Sequence, residues 1–393
     1  MFINRFLGAA ALSVAFALAA CGSPEQPQDA EATPHGYVAG AEEMDEMQAT
    51  VAYAARGSSR LGLLDLASAT EKDVTLSIAV QRLVEDGRFV YADDGGRQLE
   101  IVDAGVWTVD HTDHVHYYRK PARSLGTLTF DAEIRTITGF RGHTAIGTAD
   151  GQIRVLDRRQ LEAGQVAELG RIDSGSSTPL AVPYGDELIV AIGGGDSGQP
   201  ADRIVTMAAD GRRTGAETPC RAPRGWAVLR GGAVIACEDR LVRVQRESGG
   251  LGAKALTSPH RPVPTGGLGY RPRSNEAALA GAGGIWSVNA AKDTLRHLPA
   301  AGHNLVAAAS PADGDTVLAL SSAGTLLSLD LETGKVLAQK PVPATSLTID
   351  MNRAYLPDPQ GQVIHEIDYG DGLRTARTLP VAERPDLMVE VGR

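Results

Sequence analysis

The stretch Leu326-Leu327-Ser328-Leu329-Asp330, followed at once by Leu331-Glu332-Thr333-Gly334, is a short apolar run that halts at an aspartate and turns. Such a run, bounded by turn residues, reads as a β-strand. Comparable runs recur at Leu61 to Asp65, Leu99 to Asp103, Ile153 to Asp157, Ile204 to Met207, Leu241 to Gln245, Ile285 to Asn289 and Val363 to Asp368. Shared among about 345 residues, the runs give roughly 43 residues each, the length of a four-stranded propeller blade. Asp93-Asp94-Gly95-Gly96, Ala149-Asp150-Gly151 and Ala209-Asp210-Gly211 supply the turns that closely spaced hairpins need. Helical periodicity is scarcely visible. The expected fold is all-β: a single β-propeller of four-stranded antiparallel sheets with eight blades, seven being the alternative. Ala49 to Ala54 is expected to pair with a strand near Met388 to Val391 and close the ring. A chain of 393 residues would ordinarily divide into domains, but blades bury their faces against one another, so one toroid accommodates it.

Residues 1–20 read as an export signal, with Arg5 as the positive start and Phe6 to Ala17 as the apolar core. That core is too short to span a bilayer. Leu18-Ala19-Ala20-Cys21 resembles a bacterial lipoprotein box, which makes Cys21 the expected lipidation site; plain secretory cleavage is the alternative. Residues 21–35 form the expected tether, because Pro, Glu, Gln, Ser, Asp and Ala cannot bury enough apolar surface to order themselves. Residues 36–393 form the propeller. Gly22 in place of aspartate after the cysteine implies, by the same resemblance, the outer membrane of a Gram-negative cell and a periplasmic body. With Cys21 set aside, Cys220 and Cys237 are an even pair in an oxidising compartment and are expected to form a disulfide.

The net charge of −10, with no cluster of Lys or Arg, argues against nucleic acid as a partner. Contact with a membrane is expected only through the lipid. The run Gly193 to Pro200 looks superficially like a protease nucleophile loop, yet no histidine and aspartate motifs precede it in the required setting. It reads as a wide hairpin.

The chain has nine histidines, and His111, His114 and His116 fall within six positions beside Asp110, Asp113, Tyr117 and Tyr118. They lie in the interval from Asp103 to Asp157, which is longer than most others, and surplus length in repeat proteins usually sits in loops on a functional face. Two histidines two apart on an extended segment point to the same side. His114 and His116 could therefore supply half of a tetrahedral zinc site. His111 can join them only if the backbone turns between His111 and His114. Asp110 or Asp113 is placed to accept the second N–H of a ligating imidazole. Candidates for the remaining ligands are His143, in Gly142-His143-Thr144, His35 on the tether, and an acidic residue that the sequence does not identify. The plainer reading is a polar loop whose histidines cap turns or pack beside the two tyrosines.

Four stretches resemble one known family: Thr33-Pro34-His35-Gly36-Tyr37-Val38 with Gly40-Ala41-Glu42-Glu43; Gly105-Val106-Trp107-Thr108-Val109 running into His114-Val115-His116-Tyr117-Tyr118; Cys220 with Ala236-Cys237-Glu238-Asp239; and Glu366-Ile367-Asp368-Tyr369 through Ala376-Arg377-Thr378 to Val391-Gly392-Arg393. Together they resemble the AztD-type periplasmic zinc metallochaperones. The resemblance implies a non-enzymatic propeller that passes zinc to the solute-binding protein of a zinc ABC importer, with His114 and His116 as metal ligands. This chain departs from the family pattern at Arg135-Thr136-Ile137 and at Arg224-Gly225-Trp226, where the family carries histidines. Arginine cannot replace a ligating imidazole, being permanently cationic. The competing functions are a metal-free propeller scaffold that binds protein and, less favoured, a lactonase-type hydrolase, for which no acid/base set is visible beyond the same histidines.

Overall fold

The computed structural model describes residues 38–111, 114–194, 198–300 and 302–393; Cys21 and His35, with the whole of the expected signal and tether, lie outside them. The first unit of sheet is built from β2 (Thr50–Ala54), β3 (Arg60–Asp65) and β4 (Glu71–Thr75), and its inner edge is supplied by the chain's last strand, Leu387–Val391. Thr50 stands opposite Val391 and Ala54 opposite Leu387, so the two ends of the fold are joined, as expected from the chain ends. The second unit contains β5 (Arg82–Glu85), β6 (Phe89–Asp93) and β7 (Gln98–Asp103). Its chain then leaves the sheet as a hairpin, β8 (Val106–Asp110) and β9 (Val115–Arg119), and returns as β10 (Arg123–Thr129) on the far side of β7.

Six further four-stranded antiparallel units follow, at residues 134–173, 181–219, 225–256, 264–299, 305–341 and 348–380. The fold is a β-propeller, and the described residues contain eight four-stranded units. The sixth and seventh merge into one eight-stranded sheet through parallel pairing of their first strands, Gly269 opposite Ala309. Parallel pairing sends the C-terminal ends of these two first strands to one face.

Each of the eight apolar runs of the sequence is the third strand of its unit. The reason is burial: a third strand is sandwiched between neighbouring sheets, so Leu61, Leu99, Ile153, Leu241, Ile285 and Leu326 are all fully buried. Fourth strands lie outermost and alternate, as in Val336–Pro341. Eight apolar clusters, each drawn from two adjacent units, follow one another round the ring. The last of them joins the eighth unit to the first through Tyr355, Ile364, Tyr53 and Leu64. Cys220 and Cys237 are bonded and buried within the cluster between the fourth and fifth units. Among the described residues the one helix is Arg158–Glu162, capped by Asp157, and no helix is long and apolar enough to cross a membrane.

Candidate metal centre

The hairpin β8–β9 is fastened at its base and open at its tip. At the base, Gly105 turns the chain with φ +76°, and Lys120 N–H donates to its carbonyl at 2.7 Å. A Cβ on Gly105 would lie 2.2 Å from the Lys120 carbonyl oxygen, so only glycine fits. Trp107 and Tyr118 stand directly opposite one another, stacked with ring centroids 5.2 Å apart. Arg88 lies over the Trp107 ring at 3.9 Å and pairs with the buried Asp103, which also receives Lys120 at 2.7 Å. Burial alone would raise the Asp103 carboxyl, but the hydrogen bonds and charges of Arg88 and Lys120 outweigh it and hold the group below its ordinary value. The base is therefore a packed cation–aromatic layer with its charge compensated.

From this base the hairpin reaches over the face where the inner strands end. Thr108 Oγ1 donates to the carbonyl of Gly392, just past the inner strand of the first unit, at 2.9 Å. Asp110 meets Arg230, just past the inner strand Gly225–Leu229 of the fifth unit, at 3.2 Å. A segment inserted in the second unit thus touches the first and the fifth.

The tip carries the histidines. His111 N–H donates to the His114 carbonyl at 3.0 Å, which is the turn that His111 needed in order to face the others. His114 and His111 stack at 4.9 Å, and His116 stands edge-on to both, at 4.9 Å from His114 and 5.3 Å from His111. One ring nitrogen from each lies within 4.8 Å of the others, the one such group of His, Cys, Asp or Glu among the described residues. Nitrogens bound to one tetrahedral zinc are about 3.4 Å apart at ordinary Zn–N lengths. Closure by an ångström or so is within reach of side-chain rotation, since His111 and His114 are exposed.

Of the other residues singled out from the sequence, Asp110 pairs with Arg230, and Asp113 lies outside the described residues. His143 opens the second strand of the third unit and is not a member of the trio. Its ring lies among Asp157, Asp186 and Arg159, and burial lowers its proton affinity more than the two carboxylates raise it. Arg135 and Arg224 both sit at the starts of inner strands, the opposite ends from those the hairpin meets, and Arg135 is paired with Glu133.

The residue that sequence reasoning missed is Glu43. It lies on β1 (Glu42–Met44), which pairs antiparallel with β9 to make a three-stranded sheet in the order β1-β9-β8. Glu43 stands opposite Tyr118, and its Oε1 lies 2.6 Å from Nδ1 of His116. Burial and then the Glu43 charge push the Tyr118 hydroxyl upward. The carboxylate is thus placed to fix the tautomer of His116, the part for which Asp110 and Asp113 were candidates. The adjacent acidic pair Glu42-Glu43 was visible, but no local spacing connects it with histidines about seventy residues away.

Solved structures share this architecture. The crystal structure of AztD from Citrobacter koseri superposes with a TM-score of 0.74 over 88% of this chain and 98% of that one, at 16% identity. The fold is an AztD-like β-propeller. The apo form of the same Citrobacter koseri protein gives a TM-score of 0.75 at 16% identity over the same shares of the two chains. BamB from Moraxella catarrhalis is more distant, with a TM-score of 0.52, 13% identity, and coverage of 81% of this chain and 95% of that one. No family model and no curated protein sequence matches the chain. At these identities the AztD likeness establishes the fold, and the histidine hairpin must carry any functional argument by itself.

Proposed function

We propose that the protein is a periplasmic, lipid-anchored zinc-binding metallochaperone, non-enzymatic, which holds one ion at His111, His114 and His116 and hands it to the solute-binding protein of a zinc ABC importer. The supporting observation is the convergence of three imidazoles at one exposed hairpin tip. Three neutral imidazoles suit a borderline ion such as zinc and leave a fourth position for water or an incoming ligand. Exposure serves transfer: a receiving protein can add its own ligand before the donor's ligands leave. The resemblance of the stretch from Trp107 to Tyr118 to the zinc metallochaperone family supports the same cargo and receiver. Arg135 and Arg224, where the resemblance would place further histidines, sit at the starts of inner strands and outside the trio. Cys21 as the lipidated residue and the outer membrane as the anchoring site complete the proposal.

The test is bound zinc per chain in the wild type and in the variant with His114→Ala and His116→Ala. One equivalent in the wild type and none in the variant is the expected result. Equal stoichiometry in both would move the site elsewhere, and no zinc in either would leave a metal-free scaffold. Because imidazoles ligate only when deprotonated, bound zinc should also fall as the solution is acidified.

A further inference from the structure

The chain enters the described structure through β1, whose one strand partner among the described residues is β9. β1 is three residues long; Glu42 and Glu43 are exposed, Met44 is half-buried, and Asp45 and Glu46 beyond it are exposed again. The conformational entropy lost on ordering so short a strand roughly cancels what its exposed hydrogen bonds return. It can leave without breaking any propeller sheet, since β2 begins only at Thr50. Yet this weakly held strand carries the carboxylate that meets His116 at 2.6 Å.

We propose that β1 and the bound metal hold each other in place: loading of the histidine trio fastens β1 onto β9 through Glu43, and unloading loosens it. The inference rests on the zinc-binding reading above. Coordination of His116 through Nε2 would leave the contact at Nδ1 intact and make that N–H a stronger, charge-assisted donor to Glu43. In return the carboxylate raises the basicity of the imidazole and fixes its orientation. Coupling of this kind is reciprocal, so whatever factor β1 adds to metal affinity, metal must add to the docking of β1. The N-terminal arm is then a retention strap. An extended segment from another protein that competes for the β9 edge would weaken metal binding by the same factor, which ties release to docking.

The experiment uses the full chain, with zinc affinity measured by chelator competition for the wild type, Glu43→Gln and Glu42→Gln. Hydrogen exchange at residues 42–44 is followed with and without zinc. Glu43→Gln should weaken zinc binding by roughly 10- to 100-fold, the usual effect of removing such a partner, while Glu42→Gln changes it by less than about twofold. Zinc should slow exchange in β1 of the wild type but not of Glu43→Gln, with thermal midpoints of the metal-free proteins unchanged. Equal affinity for wild type and Glu43→Gln, or exchange in β1 indifferent to bound zinc, overturns the strap and leaves the metal site standing. A wild type that binds no zinc overturns the reading beneath it.

Discussion

Glu390 gives the strongest prediction about the scaffold. It lies on the closing strand opposite Val51, is wholly buried, and has neither carboxylate oxygen in a hydrogen bond. Its neighbour Met388 two residues earlier packs into the cluster between the eighth and first units, and alternation sends the Glu390 side chain the same way. The nearest cationic atom, on Arg393, is 3.9 Å away, close enough for charge but too far for a hydrogen bond, and Arg393 is itself paired with Glu85. Burial, only partly offset by Arg393 and reinforced by Asp350 and Glu85, pushes the carboxyl from its ordinary 4.5 up to about 8. The folded protein therefore holds this proton about 5 kcal/mol more tightly than the unfolded chain does. The sign follows from linkage: below 4.5 both states are protonated and nothing is lost, and as pH rises towards 8 the unfolded chain ionises while the folded one resists. Stability contributed by this group falls across that window. Glu390→Gln keeps the shape and removes the charge, so it should match the wild type near pH 4.5 and exceed it by up to about 5 kcal/mol above pH 8. Denaturant unfolding of both proteins across that range measures the difference directly, and contributions from all other groups cancel. Parallel stability curves, or a variant less stable at high pH, would refute the account of an unsatisfied buried carboxyl.

Two further predictions concern what holds the rest of the fold. Asp103→Asn strands the buried Arg88 guanidinium beneath the histidine hairpin, and breaking a buried pair in this way costs about 3–5 kcal/mol at neutral pH. Because the Asp103 carboxyl is lowered, its contribution is present above the ordinary value of 3.8 and lost as pH falls through the lower folded-state value, so the gap between wild type and variant in denaturant unfolding should narrow on acidification. Replacing both Cys220 and Cys237 with Ala should lower stability by about 3 kcal/mol, from the freedom restored to a short loop of the unfolded chain. Chemical denaturation with intact bound-zinc stoichiometry would show that the bond serves the propeller and not the metal centre.

The repeat was legible because one strand of each sheet is buried on both faces and so cannot be polar. Leu326 to Asp330 and its seven counterparts are third strands for that reason, and their spacing counted the sheets. First and fourth strands were far less legible. Thr348–Ile349 is two residues long, and Thr218–Pro219 pairs through only two positions, so neither gives a window wide enough for period-two alternation. Closure by Leu387–Val391 could be named from chain ends alone, because a ring needs its first and last strands to meet. The disulfide was legible from parity of the cysteines.

The candidate metal centre divides along the same line between local and non-local information. Local spacing suggested that His114 and His116 share one side, and His111, conditional on the backbone turning, is brought beside them where its N–H meets the His114 carbonyl. Glu43 was not, because its place beside His116 depends on β1 pairing with β9 in one register out of many; a slip by one residue would send Glu43 to the opposite side of that small sheet. The hairpin's reach from Gly392 to Arg230 was equally hidden, since those residues become its neighbours only once the ring has closed. The three imidazoles are thus grouped by local geometry, while the groups that meet their hairpin come from the first described strand, the last residues of the chain and a turn of the fifth unit. If the trio holds metal as proposed, its affinity should depend on how firmly these distant parts are docked, and β1, three residues long with one strand partner among the described residues, is the part whose loosening costs the propeller sheets nothing.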